Sequence, residues 1–319
     1  MNRQTHRVPT DGGWSLALTR FVDPAAHDRR LRPVLMVPGY AMNSFILSYH
    51  PRGPSMIAAL CAAGREVWTA DLRGQGDSRG PTAGFGMAEL ALDDLPRAIA
   101  AVRAHTAGDA RGVDAIGCSL GGSLLFALLA HRGADCGVRA LVDIGGPLRW
   151  DAAHPLLRVA FRSRRLAGAV PIRGTRRLAA AALPLLARAP GLLSLYLNPD
   201  GVDLSAAPQL VRTVEDPIPA INREVAAWLR AGDLVLRGRS TVEGLRGQSL
   251  PVLLLLANRD GIVPPPAVLS ARDPLPHADV LTVGTDARWY AHADLFVGNH
   301  AADEVFAPLA AWLARAAQG

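Results

Sequence analysis

Short apolar runs alternate along the chain with longer stretches whose apolar residues recur every three or four positions. The short runs are almost uninterrupted, which is typical of parallel strands that helices cover on both faces. The longer stretches have the spacing of amphipathic helices. Strands that alternate with helices in this way predict a doubly wound, mostly parallel α/β sheet. The predicted strands lie at residues 34–37, 66–70, 112–116, 139–144, 250–257 and 279–283, after an opening antiparallel strand or hairpin within residues 13–22.

The alternation stops between residues 148 and 247. This stretch contains no convincing strand pattern and is much longer than an ordinary connection between elements. Its apolar spacing is helical and prolines interrupt it, so we predict an inserted helical cap subdomain. The α/β core then consists of residues 1–147 and 248–319.

The first half of the predicted cap is strongly basic. Residues 158–188 include eight arginines and no acidic residue, and Arg158, Arg162 and Arg165 recur at helical spacing. A solvated basic face on an amphipathic lid helix would explain this pattern. The alternative is a peripheral contact with anionic lipid, an acyl thioester or the surface of a polymer granule.

Composition limits the classes of partner, metal site and cellular location that the protein could have. All 34 basic residues are arginine and the net charge is +6, but no nucleic-acid recognition motif accompanies them, so we expect no nucleic-acid partner. The three cysteines are far apart, which predicts neither a disulfide framework nor a metal site. The N-terminus lacks the apolar core of a signal peptide, and no apolar run is long enough to span a bilayer. We therefore expect a cytoplasmic protein.

The segment G-C-S-L-G at residues 117–121 lies between a predicted strand and a predicted helix. G-x-S-x-G in this setting is the pattern of a nucleophile elbow, the sharp turn that exposes a reactive serine. The turn would present the Ser119 hydroxyl at a helix N-terminus, where backbone N–H groups stabilise a developing negative charge. The alternative is a glycine-rich turn that contains an incidental serine.

A serine hydroxyl needs a general base, normally a histidine, which a carboxylate orients. These partners should follow later strands, because the carboxyl ends of parallel strands share one edge of the sheet. Asp260 follows the predicted strand that ends at residue 257, and His292 follows the one that ends at residue 283. The chain order serine, aspartate, histidine is that of α/β-hydrolases. We predict a Ser119–Asp260–His292 triad.

Other candidates for the acid and the base fit less well. His277 precedes its strand and would lie at the wrong edge of the sheet. His300 lies at the predicted capped start of the last helix, which explains it structurally. Asp143 lies inside an apolar run. These positions favour Asp260 as the acid and His292 as the base of the triad.

An oxyanion hole requires two convergent N–H donors. The first should be the backbone N–H of Leu120, the residue after the nucleophile, and the second should come from the loop after the strand at residues 34–37. Tyr40 follows a Pro-Gly turn there, and we predict that its backbone N–H, not its phenol, is the donor. This chemistry implies no metal and no cofactor.

Together these motifs resemble the α/β-hydrolase superfamily over essentially the full length, with the family's variable cap where the insertion falls. The family's oxyanion histidine, before Gly39, is replaced by Pro38, which is tolerable because the backbone provides the donor. The resemblance implies an α/β-hydrolase fold and a catalytic triad. The segments that carry it are V-P-G-Y at 37–40, D-L-R-G-Q-G-D-S at 71–78, G-C-S-L-G at 117–121, N-R-D at 258–260 and H-A-D-L at 292–295.

Two subfamilies are similar to parts of the chain. Trp68, residues 71–74 and residues 89–96 resemble lipases of the acid-lipase type. Residues 42–47 and 54–55 resemble polyhydroxyalkanoate synthases.

The register of the elbow distinguishes these two subfamilies. The synthases have a cysteine as the elbow nucleophile, where this chain has Ser119, and Cys118 lies one position early. We therefore expect a serine hydrolase that cleaves a lipid-like or medium-to-long acyl carboxylic ester through an acyl-enzyme. The alternatives are an acyltransferase or polyester-synthase-like enzyme on the same fold, and a non-catalytic lipid-binding relative.

Overall fold

The fold is built on one eight-stranded sheet. A computed structural model describes residues 1–81, 84–161, 163, 173–186 and 190–317. The sheet order is β1-β2-β4-β3-β5-β6-β9-β10, with β1/β2 and β2/β4 antiparallel and the other pairs parallel. A separate two-stranded hairpin is formed by β7 and β8. The strands are β1 Asn2–Pro9, β2 Ser15–Val22, β3 Val34–Val37, β4 Val67–Asp71, β5 Val113–Cys118, β6 Val138–Ile144, β7 Val235–Leu236, β8 Arg239–Ser240, β9 Val252–Ala257 and β10 Asp279–Val283.

Helices follow most of the parallel strands and also form much of the region between β6 and β9. The described α-helices are α1 Phe45–Ser48, α2 Met56–Ala62, α3 Met87–Glu89, α4 Leu95–His105, α5 Leu120–Arg132, α6 Pro155–Ala160, α7 Thr175–Leu186, α8 Pro190–Leu193, α9 Ala207–Leu210, α10 Pro219–Ala231, α11 Thr241–Leu245, α12 Pro265–Leu269, α13 Asp294–Val297 and α14 Ala307–Ala316. Two π-helical turns, Leu90–Asp94 and Ala302–Phe306, directly precede α4 and α14.

The central strands are buried on both faces, as their uninterrupted apolar runs predict. Leu254 and Leu256 of β9 belong to one apolar cluster, together with residues of α4 and α5. Leu253 and Leu255 belong to a second cluster, together with residues of α2 and α14. Successive side chains of a strand point to opposite faces, so the two clusters lie on opposite sides of the sheet. The predicted doubly wound, mostly parallel α/β class is confirmed.

The β1–β2 hairpin and the β7–β8 hairpin both contain strands that the sequence did not predict. The predicted opening strand within residues 13–22 is present as β2, but its partner β1 was not predicted because β1 is polar and mostly exposed. Within residues 148–247, where no strand was predicted, β7 and β8 form a hairpin with two residues in each strand. Such short strands have too few residues to produce an alternating pattern. The division of the chain at residues 147 and 248 stays a prediction.

The helical spacing of apolar residues between positions 87 and 105 predicts that Asp93 and Asp94 lie on the exposed or capping side of a helix, and for Asp94 this prediction is wrong. Asp94 is fully buried, and its Oδ1 lies 2.8 Å from Nε of Arg73. Burial raises the pKa of Asp94 to about 6, although Arg73 opposes the shift. The pairing with Arg73 accommodates this carboxylate inside the protein, where an unpaired charge would be costly.

The arginine-rich segment is described only in part. Arg158, Arg173 and Arg177 are exposed. Arg176 is also exposed and pairs with Glu215, with 3.1 Å between Nη2 and Oε1. Arg162 and Arg165 lie outside the described residues, so their shared face with Arg158 and the contact with a lipid or granule surface stay predictions. No helix in the described part of the chain is long and apolar enough to cross a membrane.

Candidate active site

Ser119 forms the turn between β5 and α5 by itself, since β5 ends at Cys118 and α5 begins at Leu120. Its backbone has φ 52° and ψ −121°, a strained conformation for a residue that is not glycine. The Ser119 N–H donates to the carbonyl of Ile144 at 2.8 Å, and the Ser119 carbonyl accepts from the N–H of Gly122 at 2.9 Å. These bonds hold the strained turn, and the Ser119 side chain remains partly exposed.

The two glycines of the elbow allow α5 to pack closely against the sheet. A Cβ atom on Gly117 would collide with the backbone of Gly122, and one on Gly121 would collide with the carbonyl of Val37. Their spacing around Ser119 is therefore explained by close contact between the helix and two strands.

Asp260 and His292 meet at the carboxyl edge of the sheet. Asp260 lies in the loop after β9, and His292 lies in the loop after the neighbouring strand β10. Nδ1 of His292 is 2.6 Å from Oδ2 of Asp260, and both side chains are buried. Oδ1 of Asp260 accepts the backbone N–H groups of Ile262 and Val263, each at 2.8 Å. This geometry favours the tautomer in which Nδ1–H donates to Asp260 and Nε2 is free to accept a proton.

Ser119 and His292 line the same cavity, which has a volume of about 320 Å³. Its other walls are mostly apolar and come largely from the region between β6 and β9. Trp150 and Trp228 meet edge to face there, with ring centroids 5.7 Å apart. The apolar walls from that region are Trp150, Leu157, Phe161, Val225, Trp228 and Leu229.

The pKa of His292 reflects opposing influences. Burial lowers it, but the charge and the hydrogen bond of Asp260, together with the charge of Asp294, raise it more. The net pKa lies above the ordinary histidine value.

We expect kcat/KM for ester cleavage to rise with pH through a pKa above the ordinary value of about 6.5. The reason is that only neutral His292 can accept the serine proton, so activity is lost as pH falls through the raised pKa. An Asp260→Asn variant should titrate His292 at lower pH, because the raising charge is gone while burial remains. NMR titration of the His292 ring in both proteins measures this shift, and equal values would contradict the role given to Asp260.

Leu120 and Tyr40, the predicted oxyanion residues, line the same cavity as Ser119. Leu120 is the first residue of α5, and the first N–H groups of a helix have no partner within it. Gly39 packs against the elbow, since a Cβ placed on it would lie 3.0 Å from Cβ of Ser119. The Tyr40 hydroxyl donates to Oδ1 of Asn222, and burial raises its pKa to about 12. The phenol is thus already engaged, and the use of the two backbone N–H groups as oxyanion donors stays a prediction.

Gln75 is a site residue to which the sequence analysis assigned no role. Its Nε2 donates to the carbonyl of Gly39 at 3.0 Å, and its Oε1 accepts the N–H of Leu72 at 2.9 Å. In a trans peptide the N–H of Tyr40 points away from the Gly39 carbonyl, so this bond fixes the direction of that N–H. The signal in the sequence was the glycine-rich segment at residues 71–78, whose glutamine is buried.

The rival histidines lie elsewhere. His300 is exposed, and its carbonyl accepts the N–H groups of Asp303 and Glu304 at the start of the last helix. The backbone of His300 therefore helps to begin this helix. The Asn299 side chain does not cap it, because Oδ1 of Asn299 has no hydrogen-bond partner among the described residues. His277 precedes β10, and its Nε2 lies 3.0 Å from the carbonyl of Leu250.

The rival acid and the rival nucleophile are both fully buried. Asp143 lies within β6, and burial raises its pKa well above the ordinary carboxyl value. A carboxyl group whose charged form is disfavoured by burial is poorly suited to stabilise an imidazolium. Burial also raises the thiol pKa of Cys118, so the thiolate needed for attack is strongly disfavoured.

Two segments between β6 and β9 hold the loops of the site. Around residue 196, the Leu195 carbonyl accepts the N–H of Gly261 at 3.1 Å, and the Tyr196 carbonyl accepts the N–H of Ala293 at 2.8 Å. These bonds reach the residues next to Asp260 and His292. The second segment, residues 211–215, also forms backbone hydrogen bonds, in this case with the loop that follows β3.

Asp294 is a second residue to which sequence reasoning gave no role. Its carboxylate accepts the N–H of Asn198 at 2.9 and 3.0 Å and the N–H of Ala291 at 2.7 Å. Burial raises the pKa of Asp294 to about 7, although these hydrogen bonds oppose the shift. Asp294 therefore joins the loop of His292 to the segment at residues 195–198.

The family model described as the alpha/beta hydrolase fold matches residues 32–289, and the chain belongs to this family. Esterase RhEst1 from Rhodococcus sp. ECU1013 is similar in structure, with 21% identity, a TM-score of 0.64, and coverage of 97% of this chain and 98% of that chain. A thermophilic esterase from Thermogutta terrifontis has 19% identity, a TM-score of 0.63, and coverage of 98% and 99%. The enol-lactonase from Burkholderia xenovorans LB400 has 16% identity, a TM-score of 0.64, and coverage of 97% and 100%. A comparison with curated proteins found no match.

Proposed function

We propose that the protein is a serine hydrolase that cleaves a carboxylic ester through an acyl-enzyme. The observation that carries this proposal is the pair of Asp260 and His292, joined by a 2.6 Å hydrogen bond, with His292 facing the same cavity as the strained Ser119. A nucleophile, a base and an orienting carboxylate in this arrangement are the parts that acyl transfer requires.

In the proposed mechanism, Oγ of Ser119 attacks the ester carbonyl while Nε2 of His292 accepts the hydroxyl proton. Asp260 stabilises the imidazolium that results. The backbone N–H groups of Leu120 and Tyr40 stabilise the oxyanion. When the tetrahedral intermediate collapses, the bond to the alcohol oxygen breaks and His292 gives its proton to that oxygen. Water then attacks the acyl-Ser119 ester by the same steps, which releases the carboxylic acid and restores the serine.

The lining of the cavity supports an ester whose flanking groups are apolar. Aromatic and aliphatic side chains such as Trp150, Phe161 and Trp228 surround the reacting groups, and they favour hydrocarbon over charged groups by burial. The similar structures include two esterases and an enol-lactonase, and their names are consistent with the same reaction class.

Product analysis tests this proposal against acyl transfer. The purified protein is incubated with p-nitrophenyl esters of increasing acyl length, with and without a primary alcohol as acceptor, and the acyl products are identified by mass spectrometry. We expect the free carboxylic acid to predominate in both conditions. Predominance of the transferred ester would contradict the hydrolase assignment, and turnover no faster than that of a Ser119→Ala variant would indicate a non-catalytic protein.

A further inference from the structure

A second apolar cavity, of about 230 Å³, adjoins the catalytic cavity. Tyr196, Thr213 and Val214 line both cavities and therefore form the partition between them. We call the second cavity the side compartment. Its remaining walls are apolar and come from α1, α7, α8, α9, α13 and the loops beside them; they include Ala182, Leu183, Leu193, Leu197, Leu210 and Val297.

We propose that the side compartment binds a hydrocarbon chain of the ester substrate and that Tyr196 controls access to it from the catalytic cavity. This proposal rests on the proposed ester hydrolysis and extends it to the substrate class: an ester with apolar groups on both sides of the reacting carbonyl.

The volumes support two connected compartments. The catalytic cavity, at about 320 Å³, lies near the lower end of the range for small-molecule sites, about 300–1,000 Å³, and the side compartment lies below that range. An ester whose carbonyl lies at Ser119 and whose chain passes Tyr196 would fill both. Each methylene that leaves water for an apolar site favours binding about fourfold.

The position of Tyr196 fits a movable partition on a fixed backbone. Its N–H donates to the carbonyl of Leu193 at 2.9 Å, and its carbonyl accepts the N–H of Ala293 at 2.8 Å. Its side chain nevertheless remains 38% exposed, and its ring centroid lies 6.2 Å from that of His292. A rotation of this side chain would connect the compartments without breaking either backbone bond.

The other two residues of the partition add little polarity. The Thr213 hydroxyl donates to the carbonyl of Asn43 at 3.2 Å, so its polar group is already satisfied by the backbone. Val214 is aliphatic. The boundary that a passing chain would meet is therefore mostly apolar, as a hydrocarbon occupant requires.

The test uses two phenylalanine substitutions on α7. Ala182 lines the side compartment, whereas its neighbour Ala181 is exposed and does not. The kcat/KM values of wild type, Ala182→Phe and Ala181→Phe are measured on two ester series: one varies the acyl chain with a short alcohol, and the other varies the alcohol chain with an acetyl group.

We expect Ala182→Phe to lower kcat/KM for the long members of one series, relative to its shortest member, at least about tenfold. The series that is affected identifies the occupant as the acyl or the alcohol chain. Ala181→Phe should behave as wild type in both. Equal length profiles for the two variants would overturn the proposal, and the melting temperature shows whether Ala182→Phe has folded.

Tyr196 is tested in the same assays. Tyr196→Ala should shift the optimum of the affected series to longer chains, and Tyr196→Phe should keep the wild-type optimum because the ring remains. An unchanged optimum in Tyr196→Ala would contradict the role of Tyr196 as the partition.

Failure of the proposed function would be recognised separately. If wild type cleaves no ester, calorimetric binding of dodecanoate to wild type, Ala182→Phe and Ala181→Phe tests the side compartment without catalysis. Loss of binding only in Ala182→Phe would support the compartment while ester hydrolysis fails, and equal binding by all three proteins would overturn the compartment as well.

Discussion

Replacement of Ser119 by alanine is expected to reduce kcat for ester hydrolysis by roughly 10⁶-fold, the effect seen when a serine nucleophile is removed from a triad. The change deletes only the hydroxyl oxygen of a partly exposed side chain, so the protein should remain folded. Steady-state kinetics on an activated ester measures the loss, and circular dichroism checks the fold.

The matched control is Cys118→Ala, one residue earlier in the elbow. Cys118 is fully buried and its thiol pKa is raised, so we expect activity close to that of wild type. A large loss in Cys118→Ala with a native melting temperature, or retained activity in Ser119→Ala, would contradict the assignment of the nucleophile.

Replacement of Asp260 by asparagine is expected to reduce kcat by roughly 10⁴-fold, as occurs when the carboxylate of a triad becomes an amide. The amide can donate to His292, which would favour the tautomer with its proton on Nε2 and leave no acceptor for the serine proton. The N–H groups of Ile262 and Val263 can still bond to the amide oxygen, so the loop should keep its shape. Kinetics on the same activated ester measures the effect.

Asp143→Asn is the control for this acid. Because burial raises the pKa of Asp143 and so disfavours its charged form, an amide of the same shape is a mild change there, and kcat should stay within a few-fold of wild type. Comparison of melting temperatures separates a loss of fold from a loss of catalysis. A folded Asp143→Asn variant that loses activity, beside an active Asp260→Asn variant, would reverse the assignment of the acid.

The predictable part of the fold is the part buried on both faces. The strand predicted at residues 34–37 has the observed bounds, and all four of its residues are buried. The strand predicted at residues 279–283 also has the observed bounds, although it lies at the edge of the sheet and is mostly exposed. β1 was missed because its side chains are polar and its stability comes from pairing with β2. The exposed or capping position predicted for Asp94 was wrong because its buried pairing with Arg73 joins segments that are far apart in the sequence.

The positions of the predicted triad residues follow from chain order and from the edge of the sheet, whereas their catalytic roles stay predictions. Ser119, Asp260 and His292 each follow a parallel strand, and the topology of the sheet brings such loops to one edge. Gln75 and Asp294 were not assigned roles because their bonds to Gly39 and Asn198 depend on contacts between segments far apart in the sequence. Local pattern contains no information about such contacts.

The size of the cavities was likewise beyond sequence reasoning. A basic, proline-interrupted region between β6 and β9 predicted a cap, but the partition at Tyr196 depends on where two separate segments meet. The proposed side compartment therefore rests on the structure, whereas the proposed reaction class rests mainly on the sequence.

Labelling with a fluorophosphonate tests the central claim most directly, because the reagent reacts with a serine only when that serine is activated as a nucleophile. Intact-protein mass spectrometry followed by peptide mapping measures the number and position of adducts. We predict one adduct per chain on Ser119, which is kept in Cys118→Ala and absent in Ser119→Ala. A folded protein that takes up no label, or an adduct on any other residue, would contradict the account.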